Sequence, residues 1–476
     1  MMQRNCNVTN LLIEYCFFAK KQYIRLISMI NKEMRGKISG QIPLVFVLAV
    51  LVLLFFESCS LRQQMAKNVD RFIKNSPVLN AHLIGFSLSD LDKKEVIYEK
   101  DADKYFIPAS NVKLYTFYAG LKMLPDSIPS LRYLEQGDSL IFWGTGDPSF
   151  LKRRVRGDKV LNFLSSSHRK LFFAPGRYTG NAYGQGWAWD DYNDDTQAEI
   201  SELPVMDNLV AFQNEREKIS IIPQHFNDCL FKDSSMTGKD FSVLRKPGAN
   251  EFHYPSKGIP DNFIQLIPYQ TGTATTLSLL KDTLHRDIQL ISMVMPATAK
   301  TIYNMKSEDV FREMLLPSDN FIAEQLLLVY ANQFQQKLSG TDAIRYILDQ
   351  YLKDLPQKPR WVDGSGLSRM NLFSPADMVM ILQMIDKEVN DREKLFSMLP
   401  AGGQRGTLKN AYPKTDHPFV FAKTGTFSNN YSQSGYLLTK KGKTLVFSLM
   451  NNNFMSPIAE IKAEMARLMG YIHEKY

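Results

Sequence analysis

Residues 108–124 read Pro-Ala-Ser-Asn-Val-Lys-Leu-Tyr-Thr-Phe-Tyr-Ala-Gly-Leu-Lys-Met-Leu, and Pro125 follows. Leu114, Phe117, Tyr118, Leu121 and Leu124 recur at helical spacing. The pattern predicts a buried helix that opens from a Pro-containing loop and stops at Pro125. Its first turn carries Ser110 and Lys113. Three positions apart at a helix start, a hydroxyl and an ammonium share one face. A serine hydroxyl is a weak nucleophile until a base takes its proton. A lysine can be that base when burial and nearby positive charge lower its pKa, and the helix N-terminus adds positive potential beside the hydroxyl.

The Ser-x-x-Lys spacing alone decides little, because it recurs at Ser149/Lys152, Ser167/Lys170 and Ser278/Lys281. Setting separates the four. Ser167 lies in the polar run SSSHRK, Ser278 lies inside a helical pattern, and Ser149 follows a Gly-Asp-Pro turn. Only Ser110 leaves a loop to begin a strongly apolar helix.

Outward from this helix, residues 60–80 read as a polar tether leading into a helix. His82–Asp90 and Glu95–Lys100 read as two strands joined by Leu91-Asp92-Lys93-Lys94. From 127 to 270 short strand-like runs (SLIFWG, KLFFAPG, KISIIP) alternate with polar, aromatic and Gly-rich stretches, which predicts one or two inserted β-rich domains. Helical patterning returns at Thr275–Leu284 and Phe321–Gln333. Phe419–Thr424, Gly435–Thr439 and Thr444–Met450 read as strands, and a last amphipathic helix runs from about Pro457 to Tyr471. Strands at both ends with helices between predict one α+β domain, residues 60–126 and 271–476, whose sheet is closed by both termini around the insertion.

Two later elements can supply partners for Ser110. Ser318-Asp319-Asn320 precedes the second helical run. Either Ser318 or Asp319 caps that helix, or Ser318 and Asn320 serve a substrate. Lys423-Thr424-Gly425-Thr426 ends an apolar strand and is the only Lys-Thr-Gly in the chain. It is either a strand end with a turn glycine or a substrate edge. In the second case Lys423 is a fixed positive charge, Thr424 and Thr426 offer hydroxyls to a carboxylate, and Gly425 permits close approach.

The order Ser-x-x-Lys, Ser-x-Asn, Lys-Thr-Gly resembles the signature of penicillin-recognising enzymes. The stretches PASNVK (108–113), GTGDPSF (144–150), PSDNFIAEQLL (317–327), DGSGLSRMN (363–371), LPAGGQRGTLKN (399–410) and AKTGT (422–426) narrow the likeness. They resemble the class C low-molecular-mass penicillin-binding proteins, the D-alanyl-D-alanine carboxypeptidase/endopeptidase family. The resemblance implies a transpeptidase-like fold, an antiparallel sheet flanked by helices plus an all-helical part, with extra domains inserted. It implies acyl transfer on Ser110 with Lys113 as general base. Ser318 would relay a proton between Lys113 and the leaving group, and Asn320 would bond a substrate amide. The backbone N–H groups of Ser110 and Thr426 would form the oxyanion hole. The expected partners are stem peptides ending in D-Ala-D-Ala and β-lactams, with no cofactor, and cleavage of cross-links is implied as well. One departure is FSNNYSQSGYL after Thr426, more polar than the family suggests. Asp147, Trp187, Trp189 and Asp190 in the insertion are candidates for reading the stem-peptide side chain, against a plain turn and packing role. A β-lactamase or esterase of the same fold, or a non-catalytic wall-binding lipoprotein, are the competing readings. The long insertion argues against the first and the intact trio against the second.

Composition is that of a globular protein, 44% hydrophobic and 22% charged. The formal charge of +8 is concentrated at the N-terminus: beyond residue 58 there are 50 Lys/Arg against 46 Asp/Glu. That balance, without a basic run, gives no reason to expect nucleic acid. The Cys and His residues show no metal-type spacing. Residues Leu44–Phe56 are thirteen consecutive apolar residues, short for a span and fitting a signal-peptide core. Met34, Arg35 and Lys37 suit a start, which would make the 33 residues before them an over-extended one. Ser58-Cys59 resembles a lipobox, with Cys59 as the lipid attachment; an uncleaved anchor and ordinary cleavage are the other options. Residues 1–59 are therefore expected to be a signal or anchor segment. It would place the enzyme in the periplasm or cell envelope, held to a membrane.

Overall fold

The computed structural model describes residues 62–153 and 157–476. The export segment, Cys59 and the start position lie outside the described residues.

One five-stranded sheet is assembled from both ends of the chain. Its strand order is Val420–Phe427, Asn430–Leu438, Thr444–Asn452, Leu83–Asp90 and Glu95–Lys100, antiparallel throughout. Leu83 pairs with Asn452 and Asp90 with Leu445, so the first strand lies against the last. Side chains alternate between the two faces. On Thr444–Asn452, Val446 and Met450 enter one core, while Leu445, Phe447 and Leu449 enter the other.

The second of these cores is closed by the Ile458–Lys475 helix, through Ile461, Met465, Leu468 and Ile472, and by Met65, Val69 and Ile73 of the helix that ends at residue 75. The first holds the Lys113–Met123 and Pro375–Val389 helices, with Asn320–Ala331 behind them. Every residue from Phe321 to Ala331 is buried. Such all-round hydrophobicity makes this the central helix of the helical part, and it leaves Glu324 and Gln325 as polar groups needing internal partners.

The insertion contains three sheets among the described residues. One has the order Ile288–Leu290, Lys170–Phe173, Ser139–Gly144, Ser127–Gln136, Lys300–Lys306. The others are Ile264–Pro268, Leu209–Glu215, Lys218–Ile222 and Leu230–Asp233, Phe252–Pro255, Leu244–Arg245. They share a core that includes Phe142, Phe173, Phe212, Phe252 and Tyr269. The first sheet runs past residue 270, where the sequence reading ends the inserted region. Its strands at 288–290 and 300–306 are short and mostly half-exposed, so they lack the apolar run that marks a strand.

Candidate active site

Ser110 sits in a 3₁₀ turn, Ala109–Val112, and the α-helix begins at Lys113. The residue before the serine, Ala109, has a φ of 48°. This left-handed step is uncommon for a residue with a side chain, and it lifts the serine at the head of the helix. Lys113 is fully buried. Its Nζ donates to Ser110 Oγ at 2.9 Å, to Asn320 Oδ1 at 2.6 Å and to the Ser365 carbonyl at 2.7 Å. Burial lowers the ammonium to about 8, against the opposing pull of Glu324, Asp363 and Asp319.

The Ser318-Asp319-Asn320 element divides its work. Asp319 caps the following helix, accepting from Ile322 N at 2.9 Å. Asn320 touches Lys113 and, through Nδ2, donates to the Thr196 carbonyl at 2.9 Å. Ser318 has a φ of 68° and turns its hydroxyl to Lys423, whose Nζ lies 2.8 Å away. Ser318, expected to relay a proton from Lys113, thus has its hydroxyl oriented by Lys423.

Lys423 is fully buried on the edge strand Val420–Phe427 and also donates to the Thr424 carbonyl at 2.7 Å. Burial, and then the charge of Lys113, hold its ammonium well below the ordinary lysine value. The strand does not end at the motif but continues to Phe427. Its outer edge is covered at 420–422 by the turn at 400–402. Thr426 lies beyond that cover and is exposed. The Thr424 hydroxyl bonds Thr407 Oγ1 at 2.8 Å. A Cβ on Gly425 would lie 2.2 Å from the Pro108 carbonyl and 3.1 Å from Ser110 N. The glycine is required because the strand abuts the Ser110 turn, which brings the Thr426 and Ser110 backbones together.

The polar strand after the motif has a structural reason. Asn111, between the serine and the lysine, donates to Ser434 Oγ at 2.8 Å, and Ser434 bonds Ser448 at 2.8 Å. Gln433 is bracketed by Tyr412 and Tyr431. The Asn111–Ser434–Ser448 chain ties the Ser110 turn to the sheet, and the Gln433 cluster lies on the opposite face.

The three competing Ser-x-x-Lys pairs do other work. Lys152 is buried between Asp207 at 2.5 Å and Asp319 at 3.0 Å, linking the insertion to the catalytic element. Ser149 and Ser130 both bond Asp147, a buried structural turn residue. Lys170 and Lys281 make surface pairs with Asp138 and Asp287. Trp187 donates to Asp363 at 3.0 Å, whereas Trp189 is 84% exposed.

Several participants were not singled out from sequence. The Ser365 carbonyl and the Thr196 carbonyl are backbone groups, which side-chain patterns cannot reveal. Glu324 did leave a signal, a lone acid in the apolar run NFIAEQLLLVYA.

Two buried lysines, a serine held by each and an adjacent open strand edge define a penicillin-binding serine hydrolase. The chain belongs to the D-Ala-D-Ala carboxypeptidase 3 (S13) family, whose model matches residues 65–471. It is a serine peptidase, a D-alanyl-D-alanine carboxypeptidase by that membership. It is 23% identical over 453 residues to D-alanyl-D-alanine carboxypeptidase DacB of Haemophilus influenzae, covering 83% of this chain and 90% of the relative. It is 24% identical over 469 residues to the D-alanyl-D-alanine carboxypeptidase of Actinomadura sp. strain R39, covering 86% and 85%. The crystal structure of penicillin binding protein 4 from Haemophilus influenzae has the same fold. Its TM-score is 0.67 at 19% identity, over 86% of this chain and 99% of that one. A structure of that protein complexed with a β-lactam gives 0.64, at the same identity and coverage.

Proposed function

We propose that Ser110 is the nucleophile and Lys113 the general base. The observation that carries this is the set of three partners around Lys113 Nζ. A neutral amine has two N–H bonds and one lone pair. Asn320 Oδ1 and the Ser365 carbonyl can only accept, so they take the two N–H bonds. The lone pair is then left facing the Ser110 hydroxyl, the one partner able to donate.

Ser110 Oγ attacks the carbonyl of the penultimate D-Ala, and its proton passes to Lys113. The backbone N–H groups of Ser110 and Thr426 hold the oxyanion. The C–N bond breaks, and the amine of the terminal D-Ala receives the proton returned by Lys113 through Ser318, whose oxygen Lys423 orients. Lys423, Thr424 and Thr426 face the substrate carboxylate. Water then attacks the acyl ester with Lys113 again as base, freeing Ser110. An extended peptide beside an edge strand uses backbone bonds for affinity, so the same edge accepts cross-linked stem peptides and supports endopeptidase cleavage.

Labelling with fluorescent penicillin and incubation with a stem pentapeptide test this reading. The wild type takes the label and releases D-Ala, and Ser110→Ala does neither. An unlabelled wild type sinks it. We place the enzyme in the cell envelope, anchored through residues 1–59 with Cys59 as the lipid site. Radiolabelled palmitate that incorporates equally into Cys59→Ala and wild type refutes that attachment.

A further inference from the structure

The turn Asp363-Gly364-Ser365-Gly366 is wedged between the nucleophile turn and the central helix. A Cβ on Gly366 would lie 2.0 Å from the Ala109 carbonyl, and one on Gly364 would lie 2.4 Å from the Ala323 carbonyl. The turn is gripped by two buried carboxylates. Asp363 accepts from Gly366 N at 2.9 Å, Ser368 N at 2.6 Å and Asn371 Nδ2 at 2.7 Å. Glu324, on the central helix one turn beyond Asn320, accepts from Gly364 N at 3.1 Å and Ser365 N at 2.7 Å. The Gly364 carbonyl in turn accepts from Thr116 on the Lys113 helix at 2.7 Å. Every backbone group of Gly364 and Ser365 named here points either to Glu324 or to the Lys113 helix.

We propose that Glu324 is a positioning residue for Lys113: it fixes the Gly364–Ser365 backbone so that the Ser365 carbonyl takes one amine proton, and it biases the charge of the lysine. This rests on Lys113 being the base. Glu324 is one of the acids whose field opposes burial at Lys113, together with Asp363 and Asp319, while Lys423 faces the site from the edge strand. Its own carboxyl is pushed up to about 8 by burial and by Asp363. It lines a polar pocket of about 290 Å³ with Tyr178, Asn181, Lys337 and Ser339.

The test is the pH profile of penicillin acylation in wild type, Glu324→Gln, Glu324→Asp and Lys113→Ala. In Glu324→Gln one of the two acceptors becomes a donor and the negative charge is gone. The high-pH plateau is expected to fall about 10- to 100-fold. The acid limb is expected to move down near pH 8, because the charge that favours protonated lysine wherever Glu324 is ionised is lost. Glu324→Asp keeps the charge but is one methylene short, so its plateau falls and its limb stays. A folded Glu324→Gln whose limb does not move overturns the proposal, since a purely structural role lowers only the plateau and melting temperature. If Glu324→Gln does not fold, Glu324→Asp decides: a wild-type plateau there overturns the proposal. Full acylation by Lys113→Ala instead overturns the parent reading, whatever the Glu324 variants do.

Discussion

Lys423 Nζ donates to Ser318 Oγ across 2.8 Å, joining the edge strand to a loop 105 residues earlier. The serine hydroxyl is therefore oriented by Lys423, on the strand that carries the Lys-Thr-Gly motif. Ser318→Ala is expected to lower D-Ala release from a pentapeptide by about 100-fold, the scale of a lost proton-transfer group. Penicillin labelling of Ser110 should slow as well, because opening the β-lactam ring also needs a proton on the leaving nitrogen. Measuring both on one preparation checks the role; labelling at the wild-type rate contradicts it.

Acylation should rise with pH. Burial brings Lys113 down to about 8, so its neutral form dominates above that value. Below it the neutral fraction, and with it the acylation rate, drops by about tenfold per pH unit. Stopped-flow acylation between pH 6 and 10 reads the limb directly. A flat profile contradicts Lys113 as the base.

Gly425→Ala pushes a methyl group at the Pro108 carbonyl and Ser110 N. The nucleophile turn must give way while the cores are untouched. Acylation should fall by about 100-fold, the cost of misplacing a reacting atom by an ångström, with a melting temperature near that of wild type. Calorimetry beside penicillin labelling separates the two effects.

Lys152→Ala leaves Asp207 buried, and Asp319 beside it partly buried, without their cation. Breaking such a pair costs about 3–5 kcal/mol, which denaturant unfolding will register. Asp207 and Asp319 then repel each other, and the Asp319 cap beside Ser318 and Asn320 is disturbed. Activity is expected to drop along with stability.

Much of this was legible in the sequence. The apolar spacing after Ser110 marked the helix, and the strand runs at both ends foretold a sheet closed by the termini. Candidate site residues could be named because Ser110, Asn320 and Lys423 are side chains in a fixed order, and the structure brings them to one place. What escaped was what order cannot encode. One of the three partners of Lys113 is a backbone carbonyl, at Ser365, and the edge of the insertion was carried by half-exposed strands with weak patterning. The polar strand 430–438 read as a departure because its partners, Asn111, Tyr412 and Ser448, are distant in the chain.

The position of Thr444–Asn452, between Asn430–Leu438 and Leu83–Asp90, sets the order in which this enzyme can come into being. Until that strand emerges from synthesis, Leu83–Asp90 and Glu95–Lys100 form only a two-stranded hairpin, marginal in water. The Lys423 hairpin has no surface on which to dock. A chain cut after residue 443 would keep every residue of the constellation and still be inert. Ser110 is made early and its surroundings are completed last, so the hydrolase stays silent until the last strand of the sheet has been made.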